Sequence, residues 1–252
     1  LVVVTGGPGV VKEAMKSGKK VIAAGPGNPP AVVDDTADLE QAAAGIVSGL
    51  SLDNNIICTC EKEVLAVDSV FDTLMSKLEQ QGNVQIRNHQ ITRLEKIALT
   101  PDREHVARDA VGKSASRFLE AIDVPFQGDP RLVICEVPFD HPFVQVEMLT
   151  SIIGVVRVKD VHEGIDLALK AEHGFRHTAS IHSTNVETIT RMARAMNCSI
   201  FVANGPNLGG LGADGEGFTS FSIASPTGDG LTRPRTFSRE RRVTVVGALR
   251  IV

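Results

Sequence analysis

Between residues 131 and 203 the chain alternates short apolar stretches with amphipathic ones, and that order narrows its fold more than any other feature. Arg131 to Val137 is too short and too apolar for a surface helix and reads as a strand covered on both faces, as in a parallel sheet. Ile152 to Val158 reads as a second strand. Asp160 to Ala171 follows as a helix with Ile165, Ala168 and Leu169 facing inward and Gly174 just past its end as a stop. Thr178 to Ile181 is then a strand, Asn185 to Met196 a helix and Ser199 to Ala203 a strand. Strands joined through helices need a parallel sheet with crossover connections, so the fold class is α/β.

The first part of the chain repeats this scheme. Leu1 to Thr5 is a β-branched strand, Gly6-Gly7-Pro8-Gly9 a tight turn, and Val10 to Met15 helical. A strand, a glycine turn and a helix start aim backbone N–H groups at an anion. The same arrangement also serves with no ligand, and it is not a G-x-G-x-x-G motif. Lys19 to Ala24 and Ala31 to Asp34 read as further strands, and Asp38 to Leu50 as a helix with Asp35 or Thr36 near its cap. Farther on, Glu61 to Gln80 carries Val64, Val67, Phe71, Leu74 and Leu78 at helical spacing, and residues 102–122 also read as helical, with Gly112 as a weak point. The chain opens inside a strand without an initiator methionine, so it is expected to be part of a longer protein.

Charge and composition remove several function classes. The formal net charge is -4 and only 4% of residues are aromatic, all of them Phe, which argues against nucleic acid or an anionic membrane as partner. No apolar run approaches the ~18 to 20 residues that span a bilayer. Cys58, Cys60, Cys135 and Cys198 include a single close pair, C-x-C, which completes no zinc or iron–sulfur pattern; a reduced, cytoplasmic protein is the simpler account. His141, His162, His173, His177 and His182 lack the spacing of zinc motifs, so no metal is expected.

The chemistry is concentrated in Ser51 to Glu63, which places a cysteine after the polar run Asp53-Asn54-Asn55 and just before a stretch read as a helix. A thiol at a helix mouth meets free N–H groups that favour a thiolate, a nucleophile's position. The plainer reading is that Cys58 and Cys60 are two buried small hydrophobes.

Asp53 to Val64 resembles the nucleophile segment of the CoA-acylating aldehyde dehydrogenases, the acetaldehyde and propionaldehyde enzymes of ethanolamine and propanediol utilisation, a branch of the aldehyde dehydrogenase superfamily. Gly205 to Phe221 and Arg233 to Arg239 resemble further motifs of that branch, in the same order. Leu52 stands where relatives commonly have phenylalanine, and Cys60 where they often have alanine. The resemblance implies an aldehyde dehydrogenase-like catalytic domain with a parallel sheet and crossover helices over residues 51–225. Residues 1–50 would be the C-terminal part of a dinucleotide-binding domain, and 226–252 a return segment and oligomerisation strand.

The resemblance also implies roles. Cys58 would be the catalytic nucleophile, with Asn55, Ile57, Thr59 and Phe221 lining the aldehyde pocket. Gly6 and Gly7 would lie beside the nicotinamide end of NAD, and Glu147 would hold its ribose hydroxyls, although a glutamate at such a place is commonly a solvated charge. Arg233 and Arg235 would meet coenzyme A phosphates, or else form a basic strip at a subunit contact. Phe221 is open in the same way to being a core residue. Where hydrolytic members carry a Glu-Leu-Gly-Gly motif, whose glutamate activates water, this chain has Ala23 or Ala24, so a thioester on Cys58 would await a thiol instead. The expected partners are a short-chain aldehyde and coenzyme A, in a homo-oligomer, dimer or tetramer, located in the cytoplasm or inside a bacterial microcompartment. A hydrolytic aldehyde dehydrogenase and a non-catalytic structural relative are the alternatives.

Overall fold

The computed structural model describes residues 1–213 and 218–247. Its centre is a seven-stranded, wholly parallel sheet in the order β5-β6-β7-β4-β3-β8-β9. The strands are β3 (Pro30–Val33), β4 (Glu63–Val67), β5 (Val84–Ile86), β6 (Val133–Glu136), β7 (Ile152–Val158), β8 (Thr178–His182) and β9 (Ile200–Ala203). Helices α2 (Leu39–Ser51) and α3 (Asp68–Gln80) pack on one face through Ile46, Leu50, Phe71 and Leu74. The opposite face is covered by α4 (His89–Ala98), α5 (Ala115–Ala121), α7 (Val161–Ala171) and α8 (Val186–Met196), with a short α6 (Pro142–Gln145) leading toward β7. Alternate residues along β4 serve the two faces: Leu65 and Val67 one core, Val64 and Ala66 the other. That is the three-layer α/β arrangement expected of a parallel sheet.

A smaller parallel pair, β1 (Val2–Thr5) and β2 (Val21–Ala24), flanks α1 (Pro8–Met15). The hairpin β10 (Ile223–Ala224) and β11 (Gly230–Leu231) lies against β2, where Ala23 N–H donates to Thr227 Oγ1 at 3.2 Å.

Several expectations are corrected. The stretch from Glu61 is not a helix: Glu63–Val67 is a buried central strand, and α3 begins at Asp68. Val64 and Val67 fit a helical spacing with Phe71 and Leu74, but β4 lies between β3 and β7, so all five of its residues are buried and no polar face betrays its period. Residues 102–114 are turns, with Gly112 at φ 69°, and only Ala115–Ala121 is helical. The cap of α2 is Asp38, whose carboxylate accepts from Glu40 and Gln41 N–H. β3 and α2 hydrogen-bond and pack with the large sheet, not with β1 and β2, so a boundary at residue 50 cuts through one layer. Residues 243–247 form no strand; Val243 and Val246 are exposed, and the last five positions of the expected oligomerisation strand lie outside the described residues.

Candidate active site

The loops that enter β3, β4, β7 and β8 meet at the amino-terminal ends of those strands. The loop before β4 carries the cysteine. It starts with three consecutive left-handed residues, Asp53 (φ 48°), Asn54 (φ 52°) and Asn55 (φ 62°). Asp and Asn are the residues with side chains that adopt this conformation most readily, which gives the Asp-Asn-Asn run a physical reason. Asn54 Nδ2 donates to Gly112 O at 3.0 Å and its Oδ1 accepts from Ser151 Oγ at 3.3 Å, fixing the turn to the loop before β7.

The next two tethers are buried charges. Lys62 is fully buried, and its Nζ donates to Asn55 O (2.8 Å), Asn55 Oδ1 (2.6 Å) and Ile57 O (2.9 Å). Glu61 is also fully buried, its Oε1 accepting from Asn207 N–H at 2.8 Å, while Asn207 Nδ2 donates to Thr59 O at 3.0 Å. Burial pushes the Glu61 carboxyl up to about 7. Through these bonds the Gly- and Asn-rich segment, which folds partly as a one-turn helix at Asn207–Leu211, is fastened to the Cys58 turn.

Cys58 and Cys60 are thereby separated. Cys60 is fully buried and its thiol is pushed up to about 12, chiefly by burial. Cys58 is half-buried; burial raises its thiol, the Glu147 carboxylate adds to the rise, and the Lys62 ammonium opposes it. Cys135 lies in the core of β6, and Cys198 donates to Ile200 O at 2.9 Å. The thiol does not sit at a helix N-terminus, because a strand follows it.

Gly27 joins the remaining pieces. Its N–H donates to Glu147 Oε1 at 3.2 Å, and a Cβ at this position would lie 2.9 Å from His177 Cγ and 3.0 Å from Cys58 O. His177 is buried, with its Nδ1 2.8 Å from Thr178 Oγ1 and its Nε2 without a partner among the described residues. Burial first, and the Lys62 charge second, pull its imidazole down to about 4, so it is neutral at pH 7. Burial raises the Glu147 carboxyl, against the pull of Lys62. Glu147 and Gly7 share the wall of a cleft of about 400 Å³ with Pro26, Val146 and Phe175.

Of the residues singled out in the sequence, Cys58, Asn55, Ile57 and Thr59 share this turn, and Gly7 and Glu147 face the cleft beside it. Gly6 precedes the start of α1 and donates its N–H to Ala24 O at 3.1 Å. Phe221 is 65% exposed, so it is not a core residue. Arg233 and Arg235 are exposed at a single helical turn, Pro234–Phe237, with the Arg233 guanidinium 5.9 Å from the Phe218 ring. Gly215 to Gly217 lie outside the described residues. Among the described residues no group of three His, Cys, Asp or Glu is placed to hold a metal, and no helix is long and apolar enough to cross a membrane.

The sequence singles out neither Lys62 nor Gly27, offers His177 only as a metal ligand and Asn207 only within the Gly205 to Phe221 motif. A charged triplet, Glu61-Lys62-Glu63, reads as a solvated helix start, and only its burial within a strand entry reveals the lysine as a tether. Replacing Asn55 with valine is expected to destabilise the protein by about 2 kcal/mol or more, from the left-handed backbone and the lost Lys62 acceptor. Urea denaturation at pH 7 would measure it, and a loss under 0.5 kcal/mol would mean that the turn relaxes freely.

A sequence model of the aldehyde dehydrogenase family matches residues 1–218. The acetylating acetaldehyde dehydrogenase EutE of Salmonella typhimurium is 48% identical over all of this chain, which covers 55% of that protein. A crystal structure of Rhodopseudomonas palustris propionaldehyde dehydrogenase with bound CoA and an acylated cysteine superposes with a TM-score of 0.92 at 43% identity, covering 96% of this chain and 55% of that one. A propionaldehyde dehydrogenase from the Clostridium phytofermentans fucose utilisation bacterial microcompartment gives a TM-score of 0.93 at 41% identity, over 96% and 56% of the two chains. The chain thus spans about half the length of the relatives it matches.

Proposed function

Because the chain belongs to the aldehyde dehydrogenase family, we propose that it supplies the nucleophile of a CoA-acylating enzyme, which converts a short-chain aldehyde, NAD and coenzyme A to acyl-CoA and NADH. The observation that carries this reading is Cys58, half-buried on a turn held by buried charges, beside the glutamate-walled cleft and a neutral imidazole. A relative solved with bound CoA and an acylated cysteine supports the acyl-transfer half.

In this reading the Cys58 thiolate adds to the aldehyde carbonyl carbon, and the Cys58 backbone N–H faces the oxyanion that forms. The cleft walled by Gly7 and Glu147 would hold the nicotinamide end of the dinucleotide, which would supply the acceptor for the hydride lost from the thiohemiacetal carbon. The Glu147 carboxylate, which accepts from Gly27 N–H, would accept hydrogen bonds from ribose hydroxyls, with Gly7 on the same cleft wall and Gly6 next to it in the chain. Cys58 then carries an acyl thioester. Ala23 and Ala24, both buried, offer no carboxylate to activate water against it. The thiol of coenzyme A attacks instead, its proton passing to a base such as neutral His177, and Cys58 departs as thiolate. Arg233 and Arg235 stand exposed for the phosphates of coenzyme A. A relative from a microcompartment supports a similar setting for the whole enzyme, and the exposed Val243 and Val246 suit a contact with a second copy.

The test uses the enzyme containing this chain, supplied with a short aldehyde and NAD, with and without coenzyme A, next to Cys58→Ala. Sustained NADH formation should require both coenzyme A and Cys58. Equal turnover without coenzyme A would show that water is the acceptor and that the lack of a carboxylate at Ala23 and Ala24 does not protect the thioester. Undiminished turnover by Cys58→Ala would remove the nucleophile assignment.

A further inference from the structure

We propose that Lys62 is a positioning residue for the nucleophile, an ammonium that both clamps the left-handed turn and carries a positive charge into the loop that bears Cys58. This rests on the reading of Cys58 as the nucleophile.

The geometry identifies the protonation state. Lys62 Nζ has three oxygen neighbours, Asn55 O, Asn55 Oδ1 and Ile57 O, at 2.6 to 2.9 Å. An ammonium has three N–H donors and satisfies all of them; a neutral amine has two, and its lone pair would face the third oxygen. All three acceptors belong to the six residues between Asn55 and Cys60 or to the turn that starts them, so the charge is built into the nucleophile's own loop. All three contacts are to neutral carbonyl oxygens, two of the backbone and one of a side-chain amide, so no hydrogen-bond partner offsets the ammonium's charge except through its dipole.

Of the other charged and titratable groups facing this spot, Glu147 works in the opposite direction and the rest are held toward their neutral forms. Burial raises the Cys58 thiol, and Glu147, from the loop before β7, raises it further. Glu61 and Glu63 flank Lys62 in sequence, both buried and both held toward their neutral forms by burial, and Cys60 is held neutral as well. His177, from the entry to β8, is neutral. Burial lowers the Lys62 ammonium itself, while the Glu147 carboxylate and a Cys58 thiolate favour its charged form. Lys62 is therefore the cation set against Glu147 in the balance that decides how much thiolate Cys58 holds.

Two variants divide the roles. Lys62→Gln is of similar reach and keeps two N–H donors for the turn without the charge; Lys62→Met loses both. The readout is the pH profile of Cys58 alkylation by iodoacetamide, located by mass spectrometry, with thermal melting as the fold control. Lys62→Gln is expected to melt near the parent and yet react about tenfold more slowly at pH 7.5, its profile displaced upward by about one unit. An unchanged profile in a folded Lys62→Gln protein would overturn the proposal, while absent labelling of Cys58 in the parent would instead count against the nucleophile reading. Should neither variant fold, nitrogen-detected NMR of the parent decides: an exchange-protected Lys62 ammonium signal from pH 6 to 9 is expected, and a neutral amine in that range would overturn the proposal.

Discussion

Replacing Gly27 with alanine is expected to cost the enzyme at least a hundredfold in kcat and to lower its stability. The new methyl carbon would stand 2.9 Å from His177 Cγ and 3.0 Å from Cys58 O, distances that real Cβ atoms essentially never keep. Neither neighbour yields cheaply. His177 is held by its N–H on Glu172 Oε1 and its ring on Thr178, and Cys58 O is backbone in a turn clamped by Lys62. The Cys58 turn is therefore displaced, and with Cys58 as the proposed nucleophile a misplacement of about 1 Å costs on the order of 10²-fold. Overpacking adds roughly 1–3 kcal/mol of destabilisation. Steady-state kinetics and urea denaturation of Gly27→Ala would measure both, and a kcat within threefold of the parent would show that the loop accommodates a side chain.

The second large effect concerns stability. Glu63 is fully buried in β4, neither of its carboxyl oxygens has a partner among the described residues, and burial raises it well above an ordinary carboxyl. Below the unfolded-state value of ~4.3 both states hold its proton and it contributes no pH dependence. Above that value the folded state keeps the proton while the unfolded state releases it, so stability falls by about 1.4 kcal/mol per pH unit until the folded-state value is passed. Glu61 adds a like slope up to about pH 7. His177 and His182, both lowered to about 4, act oppositely: their stability is full above the unfolded value of ~6.5 and is lost as pH falls toward 4. The slopes oppose one another in mildly acidic solution, and above about pH 6.5 the two histidines no longer contribute. Glu63→Gln is expected to be a few kcal/mol more stable than the parent at pH 8, about equal to it near pH 4.5, and flatter in between. Urea titrations at the two pH values would show this; a variant weaker than the parent at pH 8 would mean that Glu63 has an essential charged role.

The parallel sheet was legible because burial on both faces leaves a local mark: Val133 to Glu136 and Ile152 to Val158 are apolar beyond what a half-exposed strand allows, and Asn185 and Asp160 cap α8 and α7 where polar residues precede the amphipathic stretches. Cys58 was legible through the motif around it. The site's supports were not, because burial of Lys62 and Glu61 and the packing of His177 on Gly27 join positions far apart in sequence. β4 misled for a related reason. Its charged entry, Glu61-Lys62-Glu63, resembles a helix's first turn, and nothing local indicates that all three side chains point into protein.

The location of the thiol at the amino-terminal ends of the strands has an electrostatic meaning. In a parallel sheet the crossover helices run against the strands, so α2 and α7 deliver their carboxyl ends, at Ser51 and Ala171, to this edge. Each such end carries roughly half a negative charge. A thiolate formed here thus lies in a field that opposes it, the reverse of nucleophiles seated at helix starts. An enzyme built on this edge must import its positive potential from a side chain, which explains why a cation lies buried beneath a loop with no acid to pair with it directly.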